Sequence, residues 1–95
     1  MLEREFQAKL IRKLKGMFPD ALIFKWDSRQ GYPDVLILNG NRWAALECKR
    51  SKDAPHRPNQ DHYVRIMNQM AFSAFICPEN RDEVLADLVK YFENN

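Results

Sequence analysis

A chain of 95 residues, 45% hydrophobic and 29% charged, has the length for one apolar core and one domain over residues 1–95, with no length for a second module. A net charge of +2 does not by itself identify a nucleic-acid binder, and the two cysteines, Cys48 and Cys77, lie in apolar runs without metal-ligand spacing. Buried free thiols in a reducing compartment are therefore expected, not a disulfide framework. From Met1 to Gln7 charged and apolar residues alternate, which fits neither a signal peptide nor a transit peptide, and no apolar run approaches a membrane span. The expected location is intracellular.

Residues 2 to 16 read as an amphipathic helix that ends near Gly16 and is stopped by Pro19. At about 100° per residue, Phe6, Leu10, Leu14 and Met17 fall within roughly 60° of Glu3, with Ile11 and Phe18 on the other flank. Glu3 and Gln7 thus share the apolar stripe, while Glu5 and Arg12 point away from it. Two readings of Glu3 stand: a first turn whose carboxylate reaches water and favours the helix N-terminus, or a carboxylate held for a site.

Ala21 to Trp26 is a strand candidate, followed by a polar loop from Asp27 to Gly31. Asp34 to Leu38 and Trp43 to Lys49 are two more strands, joined by an Asn39-Gly40-Asn41 hairpin turn. A period of two places Trp43, Ala45, Glu47 and Lys49 on one face of the third strand and Ala44, Leu46 and Cys48 on the other. The close spacing predicts an antiparallel meander.

After a polar loop from Ser51 to Arg57, Pro58 suits the first turn of a helix running to about Met70. On its wheel Tyr63, Val64, Met67 and Ala71 lie within about 60° of Gln60, so Gln60 also faces the apolar side. Ala71 to Cys77 is a fourth strand, able to return parallel through a right-handed crossover. Asn80 and Glu83 predict a capping box for a last helix through about Phe92, with Val84, Leu85, Leu88 and Phe92 as its buried stripe. The expected class is α/β with a central mixed sheet flanked by helices.

Glu3, Glu47 and Gln60 all point where apolar residues belong, and local rules are broken most often at functional sites. Carboxylates on neighbouring strands repel one another, and a divalent cation relieves that repulsion; all-oxygen ligands favour Mg²⁺ or Mn²⁺. Such an ion polarises a phosphoryl oxygen and helps to form hydroxide, while Lys49, two residues past Glu47, can hold the attacking water or offset developing negative charge. Each fragment also has an ordinary structural reading: Pro33-Asp34 as a turn element, and Glu47-Cys48-Lys49 as an exposed ion pair at a strand end.

Gly31-Tyr32-Pro33-Asp34, twelve intervening residues and Glu47-Cys48-Lys49 resemble the PD-(D/E)XK nuclease superfamily; Gln60 makes the chain similar to its compact VRR-NUC branch, found in stand-alone phage nucleases and in repair nucleases. The resemblance covers nearly the whole chain and implies a restriction-endonuclease-like αβββαβ core. It implies that Asp34 and Glu47 bind Mg²⁺ or Mn²⁺ with the main-chain carbonyl of Cys48, that Lys49 positions or activates water, that Glu3 completes the metal site from the first helix, and that Gln60 supports it from the second. The implied activity is a metal-dependent DNA endonuclease, acting on branched substrates such as four-way junctions or flaps, or on duplex DNA. A homodimer and, for a phage-encoded chain, the cytoplasm of a bacterial host are implied with it. The alternative is a non-catalytic nucleic-acid-binding or assembly module that keeps the fold.

Lys9, Arg12, Lys13 and Lys15 form one basic cluster, and Arg50, Lys52, His56 and Arg57 form another. Each reads as a solvated surface or as a phosphate-binding one, and Arg50, Lys52 and Arg57 are carried as DNA-contact candidates. Tyr32 is read as a core residue or as a contact to sugar or base. His56 and His62 take surface roles, Cys77 joins the core, and Trp26 and Trp43 are packing residues.

Overall fold

The computed structural model describes residues 1–94; Asn95, the last residue of the expected domain, lies outside the described residues. The elements run α1 (Glu3–Met17), β1 (Leu22–Lys25), β2 (Val35–Asn39), β3 (Arg42–Cys48), α2 (Pro58–Met70), β4 (Phe72–Ile76) and α3 (Arg81–Glu93). The fold is α/β, with three helices on a four-stranded mixed sheet of order β1-β2-β3-β4. β1, β2 and β3 form the expected antiparallel meander, and β4 returns parallel to β3 after α2. No helix among the described residues is long and apolar enough to cross a membrane.

The β2–β3 hairpin sets the register that matters for the site. Asn39 pairs with Arg42, so the loop is Gly40-Asn41 alone. Gly40 has φ +64°, whereas no non-glycine residue among the described residues has positive φ, a pattern that belongs to a type II′ turn with glycine in its first central position. The ladder then runs back through Leu38↔Trp43 and Leu36↔Ala45 to Val35↔Leu46. One further step sets Asp34 across from Glu47, and residues directly opposite project from the same face.

The two faces of the sheet are covered unequally. Against one, Phe6, Leu10 and Leu14 of α1 and Val84, Leu85 and Leu88 of α3 enclose Val35, Ile37, Ala44, Leu46, Cys48 and Ile76 in the apolar core. Both cysteines are buried free thiols. The other face is covered by α2 through Gln60 and Val64, and it carries buried polar residues: Glu47, Lys49 and Ser73. Beyond the reach of α2, Leu22, Phe24 and Leu38 remain exposed on that face.

Helix ends differ in part from expectation. Asn80 precedes α3 as predicted, but it makes no side-chain cap bond. Its Oδ1 accepts from the Cys77 backbone N–H at 2.8 Å and its Nδ2 donates to the Phe75 carbonyl at 3.1 Å, so the side chain closes the β4–α3 turn. The capping box with Glu83 is therefore not formed. At the start of α2, by contrast, the Arg57 N–H donates to Gln60 Oε1 at 3.0 Å, so Gln60 satisfies a helix-terminal donor from the third helical position.

Candidate active site

Where β2 begins and β3 ends, the first turns of α1 and α2 approach from opposite sides of the sheet. A cavity of about 330 Å³ opens there, with Glu3, Asp34, Glu47, Lys49 and Gln60 in its wall. Five residues singled out from sequence, carried by α1, the β2 lead-in, β3 and its end, and α2, thus converge on one space. The first turns of both helices border it, α1 through Glu3 and α2 through Gln60.

The burial of the polar and charged members is unusual. Glu47 is 4% exposed, Lys49 7% and Gln60 3%. A buried ammonium group needs partners, and those of Lys49 are both neutral oxygens: Gln60 Oε1 at 2.6 Å and the Pro55 carbonyl at 3.1 Å. Gln60 Nε2 then donates to Glu47 Oε2 at 3.2 Å. A single amide therefore links the ammonium, the carboxylate and the start of α2. Lys49 takes part in none of the ion pairs among the described residues, which are Lys25–Asp27, His56–Asp61 and Arg81–Asp82. No buried side-chain nitrogen or oxygen among the described residues lacks a partner.

The electrostatics are those of crowded carboxylates in a dry place. Burial, and then the charge of Asp34, push the Glu47 carboxyl up to about 8 from its ordinary 4.5, while Lys49 pulls it down. Asp34 is also raised, first by burial and to a smaller degree by Glu3, against the backbone N–H of Cys48 that donates to its Oδ1 at 3.0 Å. Burial and the adjacent carboxylates push the Cys48 thiol up as well, which makes it a neutral packing group and no nucleophile.

These residues fit a hard divalent cation. Asp34 and Glu47 offer carboxylate oxygens, and a positive ion would offset both the burial and the added repulsion from Asp34 that raise Glu47. Among the described residues no three His, Cys, Asp or Glu side chains gather as a complete shell. Glu3 is exposed at the first position of α1 and contributes its charge to the cavity without joining Asp34 and Glu47 as a third close ligand. Two carboxylates with solvent in the remaining positions is a common way to bind Mg²⁺, which dehydrates reluctantly.

The DNA-contact candidates separate by position. Arg57 and Tyr32 line the carboxylate cavity. Arg50 lines a larger space of about 750 Å³, which adjoins the first across Glu3 and Pro55 and also takes in Arg4. Lys52 is exposed in the following loop and lies in neither wall. His56 bonds Asp61 at 2.9 Å and stacks on Phe75 at 3.9 Å, and His62 is exposed, so neither joins the carboxylates.

Arg4, Pro55 and Trp26 were not indicated by the sequence. Arg4 had no signal beyond its neighbour Glu3. Pro55 acts through its carbonyl, which every residue type possesses. Trp26 was read as packing, yet it is half-buried and lines the cavity. Comparison with protein-family models, with curated proteins and with solved structures finds no match to this chain.

Proposed function

We propose that this domain is a Mg²⁺- or Mn²⁺-dependent DNA endonuclease of the PD-(D/E)XK type, VRR-NUC branch, with the restriction-endonuclease-like core that this implies. The observation that carries the reading is the convergence of Asp34, the Glu47/Lys49 pair and Gln60, from three separate stretches of the chain, on one cavity at the end of the sheet. Asp34, Glu47 and the main-chain carbonyl of Cys48 would hold the ion, with Glu3 adding negative charge at its outer side. When bound, the ion would supply Lewis-acid polarisation of the phosphoryl group and a more acidic water.

The chain's own residues account for the remaining steps. Lys49, held by Gln60 and Pro55 and not neutralised by an ion pair, keeps its ammonium available to orient a water and to offset the negative charge that builds up on phosphorus-bound oxygens. Gln60 is a positioning residue: through one amide it holds Lys49 and Glu47 in register. Arg57 in the cavity wall and Arg50 in the adjoining space are suited to the flanking phosphates. Cutting both strands of a branched or duplex DNA would fall to a two-fold dimer, each copy supplying one site.

The test is incubation of the purified protein with labelled flap, four-way junction and duplex DNA in Mg²⁺, Mn²⁺ or EDTA. Cleavage that requires the ion and disappears in Glu47→Ala is expected. DNA binding without cleavage under every condition would replace the nuclease with a non-catalytic binding module of the same fold.

A further inference from the structure

Beside the carboxylates stands an aromatic array that the hydrolytic reading leaves unused. Trp26 and Tyr32 stack with centroids 4.9 Å apart and planes at 16°, and Tyr32 meets Tyr63 at 4.4 Å and 59°. The rings come from the end of β1, from the loop before Asp34 and from α2. None belongs to the buried apolar cluster or packs against it, and all three are half-buried. Phe18 and Phe92 show the contrast: they touch at 5.2 Å and lie against the core. Core packing therefore does not explain why three aromatic residues are gathered here.

The array is fixed relative to the carboxylates by backbone. The Trp26 N–H donates to the Asp34 carbonyl at 2.8 Å, so the tryptophan and the aspartate lie side by side on neighbouring strands. Tyr32 follows Gly31, where the backbone approaches Asn59 of α2 closely, and its ring meets Tyr63 of the same helix. Trp26 and Tyr32 share the cavity wall with Asp34 and Glu47, and Arg57 brings a cation to the same space.

We infer that Trp26, Tyr32 and Tyr63 form a base-stacking wall, which gives the site a preference for DNA with an unpaired nucleotide next to the phosphate to be cut. The inference rests on the nuclease reading and deepens it: among the substrates that reading allows, DNA with an unpaired base beside the cut is taken in preference to fully paired duplex. An aromatic ring accepts any base by its π-face, with about 1–3 kcal/mol per base. A paired base is already stacked in its helix and must first be extruded, at a cost of a few kcal/mol. Duplex DNA therefore gains little from this wall, whereas an unpaired base next to Arg57 gains the full contact.

The test separates stacking from cleavage. Trp43→Phe leaves Trp26 as the sole tryptophan, since the chain has two. In EDTA, where the DNA stays intact, this protein is titrated with oligothymidylate and with a hairpin duplex of matched length. Quenching of Trp26 fluorescence by the single strand and at least tenfold tighter binding of it than of the duplex are expected. Adding Trp26→Leu or, should that variant not fold, Tyr63→Leu brings the ratio of the two affinities, read by fluorescence anisotropy of labelled DNA, close to one. Equal affinities in the Trp43→Phe protein, absence of quenching, or a variant that weakens both DNAs alike overturns the inference. Metal-dependent cleavage without quenching removes the stacking wall and leaves the nuclease standing; quenching without cleavage does the reverse.

Discussion

The two faces of the sheet obey different rules. On the α1–α3 face, Leu10, Leu14, Leu46 and Leu88 are almost fully buried among other apolar side chains, and each is interchangeable in kind with its neighbours. On the α2 face, Gln60, Glu47, Lys49 and Ser73 are buried to a similar degree but are held by specific hydrogen bonds. Apolar burial stabilises without regard to direction, whereas a buried ammonium or carboxylate is tolerated only with partners in defined places. One face supplies the apolar core, and the other holds buried polar and charged groups fixed by hydrogen bonds.

The sharpest break between the faces should come from Lys49→Ala, which on the proposed reading lowers the cleavage rate by about a thousandfold while the protein remains folded. If cleavage survived and stability collapsed instead, Lys49 would be a structural residue and the distinction between the faces would fail. Next is pH. Between 4.5 and about 8 the folded metal-free protein keeps a proton on Glu47 that the unfolded chain has released, so stability falls as pH rises through that window. Asp34 acts in the same direction. The loss is on the order of a few kcal/mol, measured by urea unfolding in EDTA at pH 5 and pH 8. Glu47→Gln should flatten the profile, and an equally steep profile in that variant would assign the effect to other groups.

On the apolar face, Leu88→Ala is expected to cost about 3 kcal/mol of stability through the cavity it leaves. Denaturant melts should show the loss, with cleavage per folded molecule unchanged. Gly31→Ala tests the seam between loop and α2. Gly31 has φ +90°, and a Cβ there would lie 2.8 Å from Asn59 Cβ. A destabilisation of about 2 kcal/mol is expected, since both conformation and space oppose the methyl group. The smallest effect is Ser73→Ala: its hydroxyl donates to the Ala45 carbonyl at 2.8 Å, and removal should cost about 1 kcal/mol. A null result in the same melts would show that this carbonyl needs no partner from Ser73.

Much of the fold was legible because periodicity and punctuation agreed. Pro58 at the first helical position marks a helix that runs over Pro58–Met70 as expected, and the strands fall within a residue or two of their expected ends. The inward direction of Gln60 was also legible, from the apolar residues spaced around it. Asn80 shows where such reading stops. Its side chain had two sets of backbone partners within reach, and the turn after β4, which fixes the Cys77 N–H and the Phe75 carbonyl, decided between them. Glu3 is expected on the apolar side of α1, yet at the first position of the helix it is exposed and lines an open cavity.

By itself, the sequence determined which strands carry the two carboxylates: Asp34 enters one arm of the hairpin and Glu47 lies near the end of the other. The expected turn is Asn39-Gly40-Asn41, and the shorter Gly40-Asn41 loop of the structure fixes the register that sets Asp34 across from Glu47. That constraint is local, because strand register propagates from the turn. What only the tertiary structure decided is how the charges are held. Lys49 meets Gln60 and the Pro55 carbonyl, and Trp26 meets Tyr32 and Tyr63, through the docking of α2 on the sheet and the path of the loop before it. Those contacts join residues on separate elements. No pattern along the chain encodes their directions, which are set by packing once the apolar face has fixed the sheet.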